Sequence, residues 1–201
     1  DPGVAMLVGG GTDSCVRCLI GRECNPTRQT DCWYTEIADE IEGHRISNPS
    51  LVWTREPTRW SVGVHGDGWM RVWPEVGRMW GEDHASHLSV SNLVGTDAVD
   101  IETHLLVNNT GGTCLTAGLF VKGLAENDWA ALSVLDLGAE SLLQWQTRTR
   151  KLSDVGGMRD LSDVVDVHLR LQHNSNGTHI AWWRRSAKER WQKLARQPEL
   201  T

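Results

Sequence analysis

Ala98-Val99-Asp100-Ile101-Glu102-Thr103-His104-Leu105-Leu106-Val107 is the stretch whose reading decides the fold. Val99, Ile101, Thr103, Leu105 and Val107 fall on one side of an extended chain; Asp100, Glu102 and His104 fall on the other. Successive side chains of a strand point to opposite faces, so this period of two describes a strand with one face in a core and one toward water. The same alternation returns over residues 164–172, where Val165, Val167, Leu169 and Leu171 oppose Asp166, His168 and Arg170.

Working outward, short apolar runs alternate with Gly, Asp and Asn turns every 8 to 14 residues or so from about Leu51 onward, the spacing of an antiparallel sandwich. Leu51-Val52-Trp53 and Trp60-Ser61-Val62-Gly63-Val64 precede Gly66-Asp67-Gly68, which reads as a hairpin turn. Trp69-Met70-Arg71-Val72-Trp73 follows and stops at Pro74. Residues 114–122 are almost continuously apolar, as a strand buried on both faces would be. Residues 129–134 make a further strand. Over 142–149, Gln144, Gln146 and Arg148 share one face and Leu143, Trp145 and Thr147 the other. After the turn Asn174-Ser175-Asn176-Gly177, residues 180–184 and 190–195 read as a hairpin around Lys188-Glu189. The competing reading is a helix over 186–197, where Ala, Lys, Glu, Gln and Leu favour that state.

The first 45 residues differ in character. They are rich in Gly, Asn, Thr and Asp and hold four of the five cysteines, Cys15, Cys18, Cys24 and Cys32. With too few apolar residues for a core of its own, such a segment needs a staple. Two disulfides in an oxidising compartment, or four thiolates on a structural zinc, would each supply one; only the first pair has tight zinc-finger spacing, so disulfides are preferred. Cys114, alone in an apolar run, reads as a small buried residue. The expected organisation is a Cys-stapled extension over 1–45 and a β-sandwich domain over 46–201. Sequons at Asn108 and Asn176 lie in turn-like stretches and favour a secreted or organelle-lumen setting over the cytoplasm. A start at Asp1-Pro2-Gly3, without Met, fits a processed or trimmed chain.

The net charge of −6 does not attract phosphate backbones, which argues against nucleic acid as a partner. Arg184, Arg185, Lys188, Arg190, Lys193 and Arg196 form a local basic stretch, read first as a solvated face. No run approaches the roughly 20 apolar residues of a transmembrane helix. Eleven Trp against one Tyr and one Phe is an unusual aromatic balance. Most such rings fill cores, but an exposed indole offers a flat face on which a sugar ring stacks.

The order of landmarks resembles the concanavalin A-like lectin and glucanase sandwiches. Within them it is most similar to small bacterial and fungal domains of unassigned function labelled regulation of enolase. The landmarks are Leu51-Val52-Trp53, Pro57 to Trp60, Gly68 to Pro74, Trp80, the alternating strand ending at Val107, and Ala117-Gly118-Leu119-Phe120-Val121-Lys122. Glu126-Asn127-Asp128-Trp129, His168-Leu169-Arg170-Leu171 and Trp191 before Leu194-Ala195 complete the set. The likeness implies an all-β, antiparallel two-sheet jelly roll over about residues 50–197, with one concave sheet open to a ligand, and it decides the C-terminal segment as a hairpin. The family's Gln- or Arg-rich strand near Gly118 has no counterpart here, so no family site transfers.

Retaining glucanases of this fold carry carboxylates at alternate positions of one strand, two of them ~5 Å apart for double displacement. Asp100 and Glu102 fit that alternation, but Ala98 stands where the first glutamate belongs, and a methyl group cannot attack an anomeric carbon. Gly9-Gly10-Gly11-Thr12 lacks the lysine of a phosphate loop. His84 and His87 with Glu82 and Asp83 read as polar turn residues before a metal site. No catalytic set, metal or cofactor is therefore expected. The leading expectation is a carbohydrate-binding module, with Trp80, Trp129 and Trp145 as stacking platforms and Gln144, Gln146, Asp100 and Glu102 as hydrogen-bonding groups. Two others are an accessory subunit that meets further protein subunits, such as those of an organellar membrane assembly, and a diverged glycoside hydrolase.

Overall fold

The computed structural model describes residues 4–9, 22–24, 32–34, 45–46, 48–62, 69–73, 75, 86–90, 99–107, 115–122, 129–137, 140–149, 152–161, 165–174 and 178–197. Among these the strands, in chain order, are β1 (Val4–Gly9), β2 (Arg22–Cys24), β3 (Cys32–Tyr34), β4 (Leu51–Thr54), β5 (Arg59–Val62), β6 (Met70–Trp73) and β7 (His87–Val90). They continue with β8 (Val99–Val107), β9 (Leu115–Lys122), β10 (Trp129–Asp136), β11 (Ser141–Thr149), β12 (Leu152–Asp160), β13 (Val165–His173), β14 (His179–Arg184) and β15 (Gln192–Gln197). Every pairing between them is antiparallel.

Alternation in sequence becomes alternation in burial. In β8 the odd residues Val99 to Val107 are buried and those between are half-buried. β13 repeats the pattern with Val167, Leu169 and Leu171, and β14 with Ala181 and Trp183. These strands lie in a four-stranded sheet ordered β15-β14-β13-β8. Its apolar face meets a seven-stranded sheet ordered β12-β11-β10-β9-β1-β7-β4, and the two share one hydrophobic cluster. From the second sheet come Leu119, Leu132, Val134, Leu143 and Trp145. Each large apolar side chain so enclosed contributes roughly 1.5–3 kcal/mol relative to exposure. β2–β3 and β5–β6 form separate two-stranded sheets, the latter giving Val62, Met70 and Val72 to the same cluster, and among the described residues no sheet closes into a barrel.

Three local details depart from, or sharpen, the reading of the sequence. Val4–Gly9 falls within the stretch assigned to the extension, yet its backbone pairs with β9 on one side and β7 on the other, inside the large sheet. β12 was not anticipated, because Gly156-Gly157 break any alternation there. The register skips from Trp145 opposite Gly157 to Gln146 opposite Val155, which leaves Gly156 as the extra residue of a bulge. The C-terminal segment is a hairpin and not a helix: β14 pairs with β15 around a turn in which Ser186 O accepts from Glu189 N at 3.1 Å.

Candidate functional site

The two long alternating strands place their polar residues side by side. Register sets Asp100 opposite Gln172, Glu102 opposite Arg170, and His104 opposite His168. One strand further, Arg170 stands opposite Trp182 and His168 opposite Arg184; then Trp182 stands opposite Lys193. Because each strand gives its apolar face to the core, these groups all lie on the outer face of the four-stranded sheet.

On that face the side chains are already committed to one another. Arg170 does not settle on Glu102 across the strand, from which its Nε is 3.6 Å. It reaches diagonally to Asp100, with Nε donating to Oδ1 at 2.8 Å and Nη2 to Oδ2 at 2.5 Å. A guanidinium fork matches a carboxylate in this way with both charge and geometry. Gln172 Nε2 also donates to Asp100 Oδ2, at 2.9 Å, and Trp182 Nε1 donates to Gln172 Oε1 at 2.7 Å. The chain of bonds Trp182, Gln172, Asp100, Arg170 thus runs across three strands. Its hydrogen bond to Asp100 raises the Arg170 pKa further above its ordinary value.

Rings flank this chain. His104 and His168 stack with centroids 4.1 Å apart, and Trp69 packs at 5.0 Å on His104. His104 Nε2 lies 2.6 Å from Asp166 Oδ1. Partial burial, and then the charges of His104 and Arg184, hold the His168 pKa down at about 4; Asp166 pulls weakly the other way. At neutral pH His168 is therefore an uncharged ring. One strand over from His168 the Arg184 guanidinium lies 4.2 Å from the Trp191 ring centroid, and Lys193 Nζ lies 5.6 Å from that of Trp182.

No protein-family model matches the chain, and neither a curated protein nor a solved structure does. The site therefore rests on geometry alone.

The residues expected from the sequence do not form one cluster. Asp100 and Glu102 belong to the face just described. Trp129, Gln144 and Gln146 lie on the outer face of the seven-stranded sheet, where Gln144 Nε2 donates to Ser133 Oγ at 3.3 Å and Gln146 Nε2 donates to Gln144 Oε1 at 3.1 Å. Trp129 and Gln144 are only 8% and 6% exposed, so neither offers a surface to an incoming molecule. Trp145 is 0% exposed and sits between the sheets, which removes it as a platform. Strand alternation explains why: a side chain flanked by Gln144 and Gln146 must point away from both. Trp80, Cys15, Cys18, Cys114, Asn108, Asn176 and His84 lie outside the described residues. Cys24 and Cys32 stand opposite each other in the β2–β3 register. His87 lies on β7 with its ring edge-on to Phe120, 5.3 Å between centroids. Arg170, Gln172, Trp182, Arg184 and Trp191 were not singled out as ligand-binding residues. The signal for the first two was the polar side of residues 164–172, had it been set against that of β8.

Proposed function

We propose that the chain is a non-catalytic carbohydrate-binding module whose ligand lies on the outer face of the four-stranded sheet. The observation that supports this most is the pre-ordered Trp182–Gln172–Asp100–Arg170 chain of hydrogen bonds lying beside indole rings. Sugar recognition asks for flat apolar area next to planar polar groups held in fixed positions, because ordering them on binding would cost affinity. A face already locked by a bidentate ion pair has met that cost in folding. On this reading the two large sheets are the halves of a concanavalin A-like jelly roll, and a secreted or lumenal setting supplies the glycans.

The same geometry weighs against a diverged glycoside hydrolase. Asp100 accepts three hydrogen bonds, two from a guanidinium, which occupy three of its roughly four acceptor sites. Double displacement needs two carboxyl groups free to act on either side of one bond. Screening the protein against an array of plant, algal, bacterial and animal glycans tests the proposal. Specific binding weakened by Trp182→Ala and by Arg170→Gln is expected, and silence across the array would overturn it.

A further inference from the structure

Charge is not spread evenly over the proposed face. Its carboxylates, Asp100, Glu102 and Asp166, come from the β8–β13 side, where Arg170, Gln172 and His104 contact Asp100 and Asp166 and Arg170 lies near Glu102. The β14–β15 side is cationic: Arg184, Arg185, Lys188, Arg190 and Lys193 occur with one acid, Glu189. Glu189 is tied back to the turn of the hairpin, its Oε2 accepting from Arg185 N at 3.2 Å. Among the described residues no carboxylate pairs with Arg184 or Lys193.

Arg184 is the sharper of the two. It is half-buried, held over the Trp191 ring, and gives Nη1 to Ala187 O at 3.1 Å, while its buried Nε has no acceptor. A guanidinium without a counter-ion in such a place is an unmet demand for an anion. Lys193 lies on the same face, over Trp182, the same-face neighbour of Arg184 two residues back along β14 and about 7 Å away. Two cations over two indoles thus occupy one end of the platform.

We infer that the ligand of this face is an acidic oligosaccharide, whose carboxylate or sulfate groups meet Arg184 and Lys193 while its rings run along the adjoining indoles and polar chain. This rests on the carbohydrate-binding reading. A uniform polyanion such as a nucleic acid suits the face less well, because its charges would continue over Asp100 and Glu102 on a protein of net charge −6.

The test is calorimetric titration with an oligosaccharide carrying one terminal glucuronic acid, its methyl ester, a singly sulfated hexasaccharide, cellohexaose and a single-stranded oligonucleotide, at 50 and 300 mM salt. An acidic sugar should bind about tenfold tighter than its uncharged counterpart, with the gap narrowing at high salt. Arg184→Gln should remove most of that gap. Lys193→Gln, at an exposed position that folding does not depend on, should do the same in part. Equal binding of acid and ester overturns this inference while the carbohydrate reading stands, as does an oligonucleotide that binds as tightly as the acidic sugars. Failure of every saccharide to bind overturns both.

Discussion

Acidification should weaken the fold through one buried ring. His179, at the start of β14, is 4% exposed; its Nε2 lies 3.1 Å from Nδ1 of His173 on β13, and its ring 6.2 Å from that of Trp145 in the facing sheet. Burial first, and the His173 charge second, lower its pKa from 6.5 to about 4. The unfolded chain therefore takes up this proton near pH 6.5 and the folded chain only near pH 4. Between those values the unfolded state binds more protons, so stability is complete above pH 6.5 and falls as the pH drops through the window. Linkage puts the loss from this group at about 2 kcal/mol by pH 5 and about 3 kcal/mol by pH 4. That is a large share of the 5–15 kcal/mol that holds a typical domain together. His168 shifts in the same direction but is more exposed, so solvent screening reduces its share. Urea unfolding of the wild type and of His179→Phe at pH 7.5 and 5.0 isolates the effect, since the carboxylates titrate in both proteins. The wild type should lose about 2 kcal/mol more than the variant between the two pH values. Equal losses would refute the reasoning.

Other substitutions probe other parts of the account. A Cβ on Gly118 would come within 2.2 Å of Leu132 O and 2.5 Å of Ser133 Cα, both backbone, so Gly118→Ala should cost about 1–3 kcal/mol in thermal or chemical unfolding; an unchanged Tm would contradict the close approach of β9 and β10. A double-mutant cycle of Arg170→Gln and Asp100→Asn should give a coupling of about 1–3 kcal/mol in stability, and additivity would mean that the fork is not formed in solution. Arg55, at φ 54°, holds a left-handed conformation that costs an L residue about 1 kcal/mol, so Arg55→Gly should be more stable in urea unfolding than Arg55→Ala, which loses the same side chain, and equal stability of the two variants would contradict this.

Legibility in the sequence followed the physics of each strand. β8 and β13 have water on one side and core on the other, and that asymmetry writes itself as a period of two. β9 is buried along nearly its whole length and reads as an unbroken apolar run. β12 left no such trace, since a bulge at Gly156 interrupts its pairing. Val4-Ala5-Met6-Leu7-Val8 is apolar enough for a central strand, but its setting among Gly and Cys masked it.

The site was half legible for a related reason. Asp100 and Glu102 announce a polar face, but which strand lies beside them is a long-range choice that no local pattern encodes. Arg170 becomes a partner of Asp100 only once β13 is set against β8 across 70 residues of chain. The choice of Trp145 with Gln144 and Gln146 fails for a reason the sequence did contain: adjacent residues of one strand cannot serve the same face.

The indole N–H resonances of the tryptophans, followed by NMR while an array-positive oligosaccharide is titrated in, test the central claim most directly. Trp182 and Trp191 should shift in a saturable way and Trp145 should stay in place. Shifts confined to other tryptophans, with Trp182 and Trp191 unmoved at saturation, would contradict a binding surface on the four-stranded sheet.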